Sequence, residues 1–192
     1  MDARDRHRRQ PLGTIRSKAS IDGHPIHPAL IPFPFAFLAG GFDFDVAGRL
    51  LDRPAWWTTG FHLAVAGLVT AVAAALPGLV DYFATVPPRS GARTRATQHM
   101  VLVLGAVVAF VVAVWLRGTA EIQPTGAALA VETLGTALLM AGGSLGGTLV
   151  TRDHISVEES RAADQPQVET SDAARSRVAP SANSIDREPQ PR

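Results

Sequence analysis

The segment Val101–Leu116 (VLVLGAVVAFVVAVWL) carries no polar side chain on any face it could present as a helix. A helix bathed in water keeps one polar stripe, so this segment needs an apolar surrounding on all sides. It is not alone. Trp56–Val80 runs 25 residues without Asp, Glu, Lys or Arg, Met100–Leu116 runs 17, and Thr133–Val150 runs 18. A further 14 such residues lie between Ala29 and Phe42, and the apolar character continues past Asp43 and Asp45 towards Leu51. Four such helices in a chain of 192 residues would leave nothing to cover them in water. The pattern predicts an all-α, polytopic membrane four-helix bundle, with spans roughly at 32–51, 55–82, 98–116 and 125–150, each able to cross a ~30 Å hydrocarbon layer.

The prolines and glycines fit this division. Pro32 and Pro34 suit the first turn of the first helix, and Pro54 and Pro124 open the second and fourth, where a missing N–H is tolerated. Pro77-Gly78 falls inside the second helix and is expected to kink it. The pairs Gly142/Gly146 and Gly143/Gly147 read as close helix packing.

Nearly all of the 46% hydrophobic content lies between Ile21 and Val157. Residues 1–20 read as a basic flexible tail, 21–157 as the transmembrane domain, and 158–192 as a disordered tail too poor in apolar groups to fold alone. A formal net charge of +1 gives no reason to expect nucleic acid as a partner. The chain has no cysteine, which excludes disulfides, thiolate metal sites, cysteine-ligated iron–sulfur clusters and covalent c-type haem.

With four crossings, both tails and the 83–97 connection share one side of the membrane. That side carries eleven Lys and Arg residues, counted from Arg4 to Arg161, against Arg49, Arg53 and Arg117 on the other. The positive-inside rule then puts both termini in the cytoplasm of a bacterial inner membrane, with Trp56, Trp57 and Trp115 at the outer interface.

On this topology His24 and His27 precede the first helix, Asp81 and Tyr82 end the second, His99 begins the third and His154 follows the fourth, all at the cytoplasmic face. Neutral imidazole is a common ligand for haem iron and transition metals, and a nearby carboxylate can ligate or orient it. The two His-Pro units of GHPIHP stiffen the approach to the first helix, which favours preorganised ligands. His24, His27, His99 and His154 are therefore candidate haem axial ligands, and the same set with Asp81 is a candidate metal site. Against this stands the simpler reading that histidines near the headgroups are merely solvated. For Asp81 the simpler reading is a pairing with Arg93 or Arg95.

A second layer lies near the outer face. Asp43, His62 and Glu132 fall at one depth, about 10 Å below the boundary, with Asp45 slightly shallower. Ionisable groups inside a span need partners or water, so these three are expected to form a buried polar layer, either structural or proton-conducting.

The segments GHPIHPALIPFPFAFLAG, LPGLVDYF, His99-Met100 and GGSLGGTLV ending near His154 resemble a bacterial family of predicted four-helix membrane proteins, a domain of unknown function. The resemblance covers about residues 21–157, and it implies a shared importance for His24, His27, Asp81 and His99. The family's fourth helix usually continues into a Tyr/Phe-x-His-Gly-like segment. Here TRDHIS keeps His154 but lacks the glycine. Some relatives look fused to, or paired with, Rieske-type iron–sulfur or cytochrome modules, which implies membrane electron transfer and a redox partner protein.

Two functions are thus expected. The first is a haem- or metal-binding electron-transfer component using the cytoplasmic-face histidines, with a b-type haem or a transition-metal ion as cofactor. The second is a non-catalytic scaffold, homo-oligomeric or partner-binding, or a proton-conducting module built on Asp43, His62 and Glu132. No nucleophile–base pair, phosphate-cradling glycine loop or HExxH motif points to an enzyme acting without a cofactor.

Overall fold

A computed structural model describes residues 17–153. Residues 1–16 and 154–192, which take in His154 and all of the expected tails except residues 17–20, lie outside the described residues. The described chain begins with a small hairpin, β1 (Ser20–Ile21) paired antiparallel with β2 (His24–Pro25). Asp22 and Gly23 turn it with φ of 49° and 82°, the double left-handed geometry that suits a two-residue turn and favours Asp-Gly.

Helix α1 (Ile26–Leu30) leads almost directly into α2 (Pro32–Leu50), followed by α3 (Pro54–Ala84), α4 (Gly91–Arg117) and α5 (Gly126–Thr151). Taken with α1, the first span covers Ile26–Leu50, and all four spans are long and apolar enough to cross a membrane. At 1.5 Å per residue they measure about 38 to 46 Å. Proline at the first turn opens α2 and α3 as expected. Pro77 lies within α3, which continues unbroken to Ala84.

The largest departure from the sequence boundaries is at α4, which starts at Gly91 rather than near residue 98. Ser90 caps it by accepting a hydrogen bond from the Arg93 amide, the usual way to satisfy a first-turn donor. Charged side chains in these first turns hide the helix from a search for uncharged runs. Arg93 stacks on Tyr82, 3.6 Å from the ring centroid, and Arg95 pairs with Asp153.

The core is built from small residues. Gly41, Gly60, Ala64, Gly67, Ala106, Ala113, Ala128 and Gly135 are buried, whereas Val69, Leu76, Leu104 and Trp115 point outward. This inside-out distribution is the packing logic of helices in lipid, where close backbone approach replaces the hydrophobic effect. α2 packs most extensively on α3, and α4 on α5, as two helical hairpins. Contacts of α3 with α4 and of α2 with α5 close the square. Leu38, Ala106, Phe110 and Leu139 meet at its centre.

Of the glycines expected to serve packing, Gly142 faces Val103, Gly143 faces Phe35 and Gly146 faces His99, while Gly147 has open space beside it. The three tryptophans differ in exposure: Trp57, in the first turn of α3, packs into the bundle. It is buried, and Trp56 and Trp115 are the exposed tryptophans.

Candidate functional site

Both the first and the last described residues lie at one end of the bundle, with the 85–90 connection; the opposite end carries the 51–53 and 118–125 connections. At the first end His27, on α1, sets its Nδ1 2.8 Å from the carbonyl oxygen of Ala74 on α3. Its ring lies against Gly78, where a Cβ atom would stand 2.8 Å from ring atoms. His99, on α4, sets its Nδ1 2.7 Å from the carbonyl oxygen of Gly142 on α5. Its ring lies against Gly146, where a Cβ would stand 3.0 Å away.

A carbonyl can only accept, so each Nδ1 carries the hydrogen and donates it. In its neutral form each imidazole is thereby held in the tautomer whose Nε2 lone pair is free to bind a metal. The two rings also lie close enough for their charges to interact.

The other members of the sequence-derived cluster are placed differently. His24 is exposed, and its Nδ1 is bonded within the β1–β2 turn to the Asp22 carbonyl at 3.0 Å. Asp81 is buried and fully engaged. It accepts from Ser17 Oγ at 2.7 and 2.8 Å, from the amides of Lys18 and Ala19 at 2.9 and 3.2 Å, and from Thr85 Oγ1 at 2.9 Å. Neither Arg93 nor Arg95 is its partner: the first donates to the Tyr82 carbonyl and the second to Asp153. Asp81 therefore clasps the segment preceding β1 onto the end of α3. Nothing in the sequence signalled Ser17–Ala19 as its partners. Among the described residues no group of three or more His, Cys, Asp or Glu is arranged to hold a metal ion. Within the described residues, His27 and His99 are the two imidazoles at this end that share one mode of anchoring; His154 lies outside them.

The polar layer at the opposite end also has different members. Asp43 and His62 are exposed, and His62 Nδ1 bonds the Thr58 carbonyl one turn back. The buried acid on α2 is Asp45, 1% exposed, and it meets Arg117 at the end of α4. Arg117 Nη1 donates to both Asp45 oxygens at 2.7 Å, Nε donates to the Ile122 carbonyl at 2.9 Å, and Nη2 donates to the Trp57 carbonyl. Glu132 does belong to the layer: it is buried, 2% exposed, and the charges of Asp45 and Arg117 act on it. Its Oε2 has no partner, nor has Thr136 Oγ1 one turn further along α5.

The expected set of Asp43, His62 and Glu132 is thus corrected to Asp45, Arg117 and Glu132. The periodicity held the signal. Leu38, Gly41 and Asp45 follow the i, i+3, i+7 spacing of one helix face, and Asp43 does not.

Neither a curated protein nor a solved structure matches the chain. Residues 23–159 match the family described as "Predicted membrane protein (DUF2231)", a span that takes in all four helices and both polar clusters. The chain belongs to that family of predicted membrane proteins.

Proposed function

We propose that this protein is a membrane electron-transfer component that holds a b-type haem or a transition-metal ion through His27 and His99. The observation that carries the reading is the matched tautomer. Each ring donates Nδ1–H to a backbone carbonyl across a helix pair, at 2.8 and 2.7 Å. Histidines that bind metal through Nε2 are oriented by this kind of outer hydrogen bond, whereas a solvated interfacial histidine needs no such anchor. The glycine opposite each ring restricts its position further. Bound there, the group would supply a one-electron couple at the edge of the hydrocarbon layer, within reach of a redox partner protein.

The proposed location is the cytoplasmic face of a bacterial inner membrane. Burial of Arg117 supports this orientation, since it leaves only Arg49 and Arg53 of the three basic residues assigned to the opposite end.

The test uses full-length protein, expressed with haem and transition metals supplied and purified in detergent. A Soret band or a stoichiometric metal by elemental analysis is expected, and either should be lost in the His27→Ala/His99→Ala double variant. Protein free of both signals would overturn the reading.

A second reading is favoured by the unpartnered Oε2 of Glu132, buried inside a span. Such groups commonly serve ion or proton movement. On that reading the chain is a proton-conducting module or a scaffold. Proton flux into liposomes that falls in Glu132→Gln would support conduction, and unchanged flux would remove it.

A further inference from the structure

The two helical hairpins repeat one another. A step of 72 residues carries His27 onto His99, Leu38 onto Phe110, and Asp45 onto Arg117. A step of 68 carries Gly67 onto Gly135, Ala74 onto Gly142, and Gly78 onto Gly146. The matches are matches of role. Gly67 lies against the Leu38 side chain as Gly135 lies against Phe110. Ala74 accepts from His27 as Gly142 accepts from His99. Gly78 lies against the His27 ring as Gly146 lies against His99.

The operation exchanges α2 with α4 and α3 with α5 while preserving which helices are neighbours. It is therefore a twofold rotation about the long axis of the bundle. Leu38 and Phe110 pack in one buried cluster, and Asp45 and Arg117 form their ion pair where the equivalent helices converge. At the outer level the halves have diverged into an acid and a base. At the histidine level they have kept the same donor with the same anchor.

Donor number among the described residues favours one of the two cofactors. A structural zinc ion takes four protein ligands and a catalytic one takes three, while no third donor joins the two imidazoles among the described residues. A haem iron receives four nitrogens from its own ring and needs only two axial ligands. We propose that His27 and His99 are symmetry-equivalent axial ligands of a single b-type haem lying on the internal twofold axis, with His24, His62 and Asp81 taking no part. This rests on the cofactor reading above and narrows it to one ligand class and one ligand pair.

The experiment is haem titration of the full chain in detergent, followed by optical and electron paramagnetic resonance spectra. One haem per chain in a low-spin bis-imidazole state is expected. His27→Ala and His99→Ala should each convert it to a high-spin state, to a similar extent, and added imidazole should restore the low-spin spectrum. That rescue also shows that the variant has folded. His24→Ala and His62→Ala should leave the spectrum unchanged. Low-spin haem lost in His24→Ala or His154→Ala would overturn the symmetric pair and leave the cofactor reading standing. Stoichiometric metal without haem would do the same. A high-spin spectrum in the unaltered protein would overturn the pair even if no variant could be purified. Absence of both haem and metal would overturn the pair and the parent reading together.

Discussion

Arg117 Nη1 lies 2.7 Å from both carboxylate oxygens of Asp45, and each side chain is only 1% exposed. The guanidinium also donates to the carbonyls of Trp57 and Ile122, so one buried cation ties α2, α3 and the α4–α5 connection together. Removing one member of a buried pair strands the other's charge, at a cost of about 3–5 kcal/mol. Asp45→Ala and Arg117→Ala are each expected to destabilise the bundle on that scale. Unfolding in mixed micelles measures it, and a loss below about 1 kcal/mol, the range of exposed pairs, would contradict a buried ion pair.

Glu132 should behave differently. Asp45 and Glu132 are two acidic groups facing one guanidinium, so the cluster has one carboxyl more than its cation balances. Glu132→Gln keeps the shape and a hydrogen-bonding capacity while removing the surplus acid. Its effect on stability should stay within about 1 kcal/mol, the scale of a single hydrogen bond. The same micelle unfolding assay checks this, and a loss as large as that of Asp45→Ala would show that Glu132 is needed as an acid.

The space for this cluster is supplied by Gly60. A Cβ there would stand 2.6 Å from Asp45 Cγ and 2.8 Å from the Gly41 carbonyl oxygen, one a buried side chain and the other backbone. Neither can retreat freely. Gly60→Ala should therefore destabilise by about 1–3 kcal/mol, as overpacking does. Gly147→Ala, on the helical face with open space, should be neutral or slightly stabilising because alanine is the better helix former. Equal effects of the two substitutions would contradict the close α2–α3 approach.

How much of this was legible beforehand depended on which physical constraint was in force. Lipid leaves few alternatives for a long uncharged run, so the four helices followed from Val101–Leu116 and its counterparts. The start of α4 did not, because its charged first turns are held by the protein, Arg93 stacked on Tyr82 and Arg95 paired with Asp153. Of the two acids on α2, depth alone could not choose between Asp43 and Asp45, whereas helical phase could. Arg117 closes an apolar run, where an arginine ordinarily marks the membrane boundary, and its burial became apparent only from Asp45 across the bundle. His27 and His99 were visible as chemistry, but the carbonyls anchoring them belong to apolar helix interiors with no side-chain signal. The internal repeat was hidden for a related reason. Its halves share identical residues at only three of the six matched positions, His27/His99, Gly67/Gly135 and Gly78/Gly146. Elsewhere they share roles, such as leucine for phenylalanine and alanine for glycine.

Asp81 gathers donors from Ser17, Lys18, Ala19 and Thr85, so its removal should release the segment in front of β1. Asp81→Ala is expected to raise hydrogen exchange at the Lys18 and Ala19 amides while leaving the interior of α4 protected. Hydrogen bonds to a charged acceptor contribute about 1.5–3 kcal/mol, which would raise exchange at those amides by one to two orders of magnitude. Unchanged exchange there would show that the segment is held by something other than this carboxylate.

Gly78 and Gly146 give the most direct handle on the imidazole pair that leaves the imidazoles in place. A Cβ at Gly78 would stand 2.8 Å from His27 Cε1 and Nδ1, and one at Gly146 would stand 3.0 Å from His99 Cε1. The contacted atoms belong to rings already anchored at 2.8 and 2.7 Å to carbonyls on the same two helices. Alanine at either position must rotate the ring or lengthen its anchoring bond, and either change disturbs the direction of the Nε2 lone pair. With haem bound as proposed, Gly78→Ala, with the closer approach, should alter its spectrum more than Gly146→Ala. Both should retain helical circular dichroism, since alanine favours helix where glycine does not. Haem affinity and spin state measure the effect on the site, and imidazole added to each variant separates a displaced ligand from a collapsed pocket. If both variants bound haem with the unaltered spectrum, the close seating of the rings on these glycines would have no part in holding the ligand.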